Sequence, residues 1–332
     1  MRKPRFKLVG IVAIAVLCLA LSGQAMAGDS GPQKLSMATF KSGSGWYIMA
    51  QTMAKIMQAA LPQGTTTDVL PYSGGVGNPL LLHKNKANVA LGFPVETGLA
   101  IRGESPYKEK MPEIKMLVGN LDTYWYLFSV RGNVPVNSFE ELKAKKYPIR
   151  LVLLPKGSSG EWATKTVLKA YGITYEDIES WGGKVTNVSF PTAVEMMKDG
   201  QADAFAHVST PGHPSWTQLS TLTKIRFLPM GAKVGAQLVG KYGYRMSTLP
   251  KGAFRGVEKP VQVLGFATLL MATDKMPDDI AYKITKAICE NREQLVATYK
   301  GAAAFRPQLA PDVPLPLHPG AAKYYKEAGY IK

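Results

Sequence analysis

Three short stretches stand out for the chemistry they could support. They are Ser42-Gly43-Ser44-Gly45 ahead of Trp46 and Tyr47, Ser73-Gly74-Gly75-Val76-Gly77-Asn78, and Gly157-Ser158-Ser159-Gly160-Glu161 ahead of Trp162. Each is built of small residues with hydroxyl or amide groups, and each runs into a helical pattern. The first N–H groups of a helix have no partner within it and carry a partial positive charge. A glycine-rich approach therefore lets a carboxylate or phosphate rest on them without a formal cation. The candidate ligand-binding residues are Ser42, Gly43, Ser44, Trp46, Tyr47, Ser73, Gly74, Gly75, Asn78, Ser158, Ser159, Glu161 and Trp162, and Phe93 and Thr210 complete the set. One such anion contact contributes about 0.3–2 kcal/mol, whereas micromolar binding needs about 8 kcal/mol. Trp46, Tyr47 and Trp162 are placed to supply part of the difference by aromatic burial. The same residues also have structural readings: Ser158 and Glu161 as a capping box, Asn78 as an N-cap, and both tryptophans as helix interior.

Other chemistry finds less support. The four histidines, His83, His207, His213 and His318, have no second His, Cys or carboxylate at the spacing of a zinc site, so neither a metal nor a cofactor is expected. His207 and His213 flank a proline-containing loop and are expected at the surface. Neither Gly43-Ser44-Gly45 nor Gly74-Gly75-Val76-Gly77 completes a dinucleotide fingerprint or ends as a phosphate loop does, and no G-x-S-x-G elbow occurs. A non-catalytic protein is expected.

The elements that must position these loops begin after an export signal. Arg2, Lys3, Arg5 and Lys7 precede an unbroken apolar run from Leu8 to Leu21 and a small-residue cleavage site at Ala25-Met26-Ala27, which makes residues 1–27 a signal peptide. The run is shorter than the roughly 20 residues a membrane-spanning helix needs. The remainder of the 332-residue chain, 46% hydrophobic and 19% charged, has the composition of a folded domain. Its 40 Lys+Arg against 24 Asp+Glu are scattered rather than gathered into a stripe with stacking aromatics, which argues against nucleic acid. A positive field can concentrate an anion but cannot choose which one binds, so selectivity requires a pocket. Cys18 lies in the signal, which leaves Cys289 alone, on an apolar helix face, and no intrachain disulfide.

Two halves repeat one plan. Leu35–Phe40 reads as a strand, followed by the first loop and a helix with Trp46, Met49, Ala50, Met53, Ile56 and Met57 on one face, the methionines as core. Ile149–Leu154 reads as a strand, followed by the third loop and a helix beginning at Trp162. A second strand and helix follow in each half, at 67–71 and 78–86 and again at 184–190 and 191–198, with Pro79 and Pro191 in the first helical turn. Short strands at 87–90 and 202–205 close both halves. Strand-helix alternation of this kind implies parallel sheets, with ligands beyond the carboxyl ends of the strands.

The ending Pro314-Leu315-Pro316-Leu317-His318-Pro319-Gly320-Ala321-Ala322-Lys323-Tyr324-Tyr325-Lys326-Glu327-Ala328-Gly329 resembles the C-terminal motif of the TAXI family of TRAP-transporter solute-binding proteins. Residues 42–47, 73–78 and 157–161 sit where that family has Gly-Gly-Thr-Tyr-Tyr, Gly-Gly-Ser-Val-Glu-Asn and Gly-Ser-Gly-Thr-Glu. The resemblance implies an α/β, type II periplasmic binding protein, a monomer with a ligand cleft between two lobes, handing a small anionic or zwitterionic solute to a membrane-embedded TRAP permease. Lobe 1 then comprises residues 28–126 and 267–332, and lobe 2 residues 127–266, with 124–130 and 261–272 as connecting strands and His318 in a structural turn. Where the family commonly has Gln-Ser-Asp this chain has Phe93-Pro94-Val95, and Gly45 and Gly160 replace loop threonines. Those losses of polar contact point to a less polar carboxylate with an aromatic or branched body. A receptor feeding a membrane sensor and a secreted enzyme are the alternatives.

Overall fold

Each helix that follows a strand must carry the chain back across one face of a sheet before the next parallel strand can start. The computed structural model describes residues 30–72 and 74–332; the expected signal at 1–27 and Ser73 lie outside the described residues. The first run gives β1 (Lys34–Thr39), α1 (Gly45–Ala60), β2 (Thr66–Pro71), α2 (Gly77–His83), β3 (Val89–Gly92), α3 (Pro94–Arg102) and β4 (Ile114–Val118). The middle run gives β5 (Tyr124–Arg131), α4 (Phe139–Ala144), β6 (Arg150–Leu153), α5 (Ser159–Ala170), α6 (Tyr175–Ser180), β7 (Lys184–Asn187) and α7 (Phe190–Lys198). It continues with β8 (Ala204–Ser209), α8 (Pro214–Leu222), β9 (Ile225–Phe227), α9 (Ala232–Tyr242), β10 (Arg245–Leu249) and β11 (Val261–Phe266). The chain ends with β12 (Leu269–Thr273), α10 (Asp278–Glu290), α11 (Arg292–Thr298), two short 3-10 turns and α12 (Pro319–Glu327).

These strands form two sheets and hence two α/β lobes. One sheet has the order β2-β1-β3-β12-β4, and the other β10-β11-β5-β8-β6-β7 with β9 beside β5. β1 lies parallel between β2 and β3, as β6 lies parallel between β7 and β8. β12 is antiparallel to β3, and β5 antiparallel to β8. Both sheets therefore follow one plan, and each takes its antiparallel strand from a segment that has just crossed from the other. Every residue of β3 and β8 is buried, as strands covered by helices on both faces must be. The α1 face carrying Trp46, Met49, Ala50, Met53, Ile56 and Met57 is buried on the first sheet. Each fully covered methionine contributes about 1.5–3 kcal/mol, and its unbranched thioether fills irregular gaps. Cys289 is a buried free thiol in α10.

Four local readings change. The strand expected over 261–272 divides at Ala267 and Thr268, where the chain passes between sheets. The reason is that the Thr268 N–H and hydroxyl turn to the Asp122 carboxylate on the other crossing, at 2.8 Å each. Helix α5 starts at Ser159 rather than Trp162, because Ser158 caps it. Helix α2 starts at Gly77, which places Asn78 inside the first turn rather than at the cap. His207 is not a surface residue but an interior residue of β8, 6% exposed.

The C-terminal motif works as a clasp on the first sheet. The His318 N–H donates to the Met116 carbonyl of β4 and the Met116 N–H to the Pro316 carbonyl. The His318 ring accepts from the Gly320 N–H at 3.2 Å, capping α12, and the Tyr325 hydroxyl donates to the Leu117 carbonyl at 2.8 Å. A Cβ on Gly320 would stand 2.1 Å from the Asp278 carbonyl oxygen, so α12 meets α10 backbone to backbone. Gly320→Ala should lower the unfolding free energy by about 1–3 kcal/mol, because rigid backbone must move to admit the methyl. Denaturant titration measures this, and an unchanged midpoint would mean that the two helices part freely.

Candidate functional site

The three loops singled out above leave the carboxyl ends of β1, β2 and β6 for α1, α2 and α5. Ser44 and Ser158 act as N-caps: Ser44 Oγ accepts from the Tyr47 N–H at 3.1 Å and Ser158 Oγ from the Glu161 N–H at 3.3 Å. A cap satisfies one first-turn donor and leaves the others. Ser42 and Gly43 are exposed, with Gly43 at φ +81°, in the left-handed region that glycine favours, and Tyr47 is half-buried. Glu161 is engaged within its own lobe: its carboxylate lies 3.4 Å from the Gly157 N–H and 3.5 Å from the Tyr175 hydroxyl. Trp162 is half-buried and meets Tyr242 edge-on at 5.5 Å.

The second loop touches the other lobe. A Cβ on Gly75 would stand 2.0 Å from Ser159 Oγ, so the α5 N-terminus closes on bare backbone, while Gly74 lies against Phe40. Asn78 is wholly buried. Its amide group donates to the Leu91 and Ala38 carbonyls at 2.8 and 3.4 Å, which settles which end of the amide is oxygen. That Oδ1 accepts from no donor among the described residues.

Sequence reasoning missed Glu96. It lies in the first turn of α3, just past β3, and is only 3% exposed. Burial pushes its carboxyl up to about 7, against the opposing pull of the Ser159 hydroxyl and its own backbone N–H. None of these influences comes from a cation. Tyr107 and Tyr244 also feel its charge, and both hydroxyls are held well above the usual tyrosine range, first by burial. The available signal was an acid placed directly after Phe93-Pro94-Val95 at the end of a buried strand. Apolar neighbours on that side make the acid harder to hydrate, not less relevant.

Beside this seam an aromatic group fills the junction between lobes. Phe93 stands 4.6 Å from Trp46, 4.9 Å from Tyr124 and 4.7 Å from Phe266, ring centre to ring centre. The Trp46 indole donates to Thr268 Oγ1 at 2.8 Å, so its polar end is engaged by the crossing. The Asp122 carboxylate, which holds Thr268, also accepts from the Tyr299 hydroxyl at 3.3 Å. Burial pushes Asp122 up to about 6 despite these donors. Burial holds the Tyr299 hydroxyl well above the usual tyrosine range, with Thr210, just past β8, as a small opposing influence from the other lobe.

Gly45 and Gly160 have a steric cause. A Cβ on Gly45 would fall 2.7 Å from the Tyr299 ring, and one on Gly160 would fall 1.8 Å from His207 Nδ1. Burial, with His213 nearby, pushes His207 down to about 3, and burial pushes His213 down to about 4, so both rings are neutral at ordinary pH. Phe190 stands 4.9 Å from each. Among the described residues no group of three or more His, Cys, Asp or Glu is placed to hold a metal ion, and no helix is long and apolar enough to cross a membrane.

The buried acid and the buried histidines titrate against each other. Between about pH 4.5 and 7 the unfolded chain has released the Glu96 proton while the folded chain keeps it, so this stabilising contribution runs down as pH rises. Below 6.5 the unfolded chain protonates His207 while the folded chain excludes that proton until about 3, so that contribution runs down as pH falls. The Tm difference between Glu96→Gln and the wild type should therefore grow in favour of the variant from pH 4 to pH 7, and that of His207→Gln should move in favour of the variant from pH 7 to pH 4. Thermal melts across this range test both directions, and a Glu96→Gln difference independent of pH would place the carboxyl in water.

Known proteins share this architecture. The fold is similar to that of MatC from Rhodopseudomonas palustris with bound malate, at 13% identity and a TM-score of 0.54 over 90% of this chain and 97% of that one. It is also similar to XAC2383 from Xanthomonas citri bound to ATP, at 11% identity and a TM-score of 0.51 over 90% and 97%. A third is the binding-protein component of an ABC phosphonate transporter from Pseudomonas aeruginosa, at 10% identity and a TM-score of 0.50 over 82% and 80%. The common feature is the pair of α/β lobes found in periplasmic binding proteins. A sequence model described as the NMT1-like family matches residues 37–329, and the chain accordingly belongs to the NMT1-like family.

Proposed function

We propose that the protein is an exported solute receptor. On this reading it encloses a small carboxylate-bearing molecule between its lobes in the periplasm, returns it unchanged, and as a monomer delivers it to a TRAP-type membrane permease. The observation that carries this reading is the meeting of two helix approaches across the lobes: Gly75, two residues before α2, lies directly on Ser159 at the start of α5. First-turn amides from opposing lobes form the arrangement in which an anion favours the closed state through contacts that the open state lacks. The anionic occupants named for two of the similar structures, malate and ATP, agree with this. Ser42, Gly43, Ser44 and Tyr47 of the α1 loop, Gly74, Gly75 and Asn78 of the α2 loop and Ser158 and Ser159 of α5 would line the polar side. Trp46, Phe93 and Trp162 would meet an apolar body, with Glu161 and Thr210 supporting the rim. The aromatic junction favours a less polar carboxylate over glutamate.

Two measurements test the reading. Mass spectrometry of the supernatant from denatured protein, with a thermal-shift screen of carboxylates and amino acids, should yield a bound molecule whose mass is the same before and after incubation. Turnover of that molecule would make the protein an enzyme instead. Small-angle scattering should show compaction when the identified solute is added. Gly75→Val should abolish that compaction and weaken binding at least about tenfold, since the added side chain stands where Ser159 must approach. Compaction retained in Gly75→Val would move the contact elsewhere.

A further inference from the structure

The first crossing between the sheets carries a side chain that reaches both lobes. Asn120 lies between β4 and β5 with φ +52°, in the left-handed region that Asn enters more readily than most residues with a side chain. Its Nδ2 donates to the Leu309 carbonyl at 2.6 Å and to the Asp312 carbonyl at 3.1 Å, both on the segment that follows α11. Its Oδ1 accepts from Nη2 of Arg245, the first residue of β10 in the other sheet. An amide supplies both the donors and the acceptor, whereas an aspartate here would turn an oxygen towards two carbonyls. Both ends of this link are held by their neighbours. The Gly119 N–H donates to the Ala310 carbonyl at 3.1 Å, and a Cβ on Gly119 would stand 2.6 Å from that oxygen, so the crossing lies directly on the C-terminal segment. The Leu121 N–H donates to the Thr268 carbonyl at 3.0 Å, on the second crossing. Arg245 stands opposite Gly265 in the β10–β11 pair, just ahead of that crossing. Beside it the Tyr244 ring is 5.7 Å from Phe266, whose ring meets Phe93 of the first lobe at 4.7 Å. The Asn120–Arg245 bond thus sits at the rim of the aromatic junction, and Arg245 itself is exposed.

We propose that Asn120 is a positioning residue for solute capture: with Arg245 it straps the second lobe to the C-terminal segment of the first, and so raises the share of solute-free molecules whose lobes stand together as they do in this structure. This deepens the receptor reading above by naming what governs closure of that site. The strap touches no solute. A contact made across the lobes in one arrangement only shifts the balance towards that arrangement, and apparent affinity is the intrinsic affinity scaled by the fraction of molecules ready to bind. An exposed, charge-assisted bond of this kind changes the open-to-closed ratio about fivefold.

Double electron–electron resonance on the solute-free protein tests this, with spin labels at Lys55→Cys on α1 and Lys169→Cys on α5, both exposed, while the native Cys289 is buried. Asn120→Gly deletes the side-chain bonds but keeps a residue at ease in the left-handed region, and Arg245→Met keeps the length of the side chain without its donors. Each should add a longer distance, with the open-to-closed ratio rising about fivefold. The double variant should go no further than Asn120→Gly alone, since the two residues act across the lobes through one bond. Thermal melts check folding, and because Arg245 is exposed, Arg245→Met carries the test if Asn120→Gly does not fold. Distances identical to those of the wild type in the folded variants, a lower Tm without redistribution, or shifts that add in the double variant overturn the strap and leave the receptor reading standing. Turnover of a bound molecule, or no bound molecule at all, overturns the receptor reading and leaves the distances to decide the strap.

Discussion

One carboxylate governs how the two lobes are joined. Asp122 lies on the first crossing between sheets and accepts both the N–H and the hydroxyl of Thr268, which lies on the second. A chain that crosses twice needs its crossings held side by side, or the strands that follow them cannot enter the opposite sheets in register. Thr268 passes this restraint to Trp46 at the start of α1, and Tyr299 joins it through its own bond to Asp122. Hydrogen bonds to a charged group contribute about 1.5–3 kcal/mol each, and a charged group left buried without its donors costs more than the bonds supply. The junction is therefore an ordered joint, and relative motion of the lobes must occur about it rather than through it.

The common plan of the sheets explains why the candidate site straddles the joint. In each lobe the parallel strands end on the side where helix N-termini gather, and the strand contributed by the other crossing places those ends opposite one another. β5 enters beside β8 and β12 beside β3, so the carboxyl ends of β1 and β6 face a shared seam. Two lobes joined by one crossing would lack this mutual insertion. The contact between Gly75 and Ser159 is its consequence: the Ser159 hydroxyl and N–H close on backbone that carries no side chain.

Much of this plan was legible in the residues. The recurrence of Lys-Gly/Ser-rich loop and tryptophan at positions 41–46 and 156–162 reflects the equivalence of β1-α1 and β6-α5, and alternation of strand and helix is a local property that periodicity reports directly. The break at Ala267-Thr268 was not legible, because an apolar run over 261–272 reads the same whether it serves one sheet or two. Its division depends on Asp122, far away in sequence. His207 was misread for a related reason: a proline-containing loop nearby suggests surface, but the residue belongs to a strand covered on both faces. The glycines at 45 and 160 registered as missing polar groups, whereas the space belongs to Tyr299 and His207. Tertiary neighbours that arrive from other parts of the chain leave no mark in the pattern of the loop they touch.

Glu96 shows why the electrostatics of such a seam cannot be read from its loops alone. Helix N-termini contribute about 0.3–2 kcal/mol apiece to a nearby negative charge, and only within the first turn. The penalty for ionising a buried carboxyl is several kcal/mol after relaxation. Glu96 meets the first residue of α5, yet its carboxyl is not brought back to the ordinary range. It stays near 7, with the Ser159 hydroxyl and its own N–H as the opposing influences. Burial outweighs what that turn supplies, so the first turn of α5 and the acid it meets belong to one and the same part of the seam.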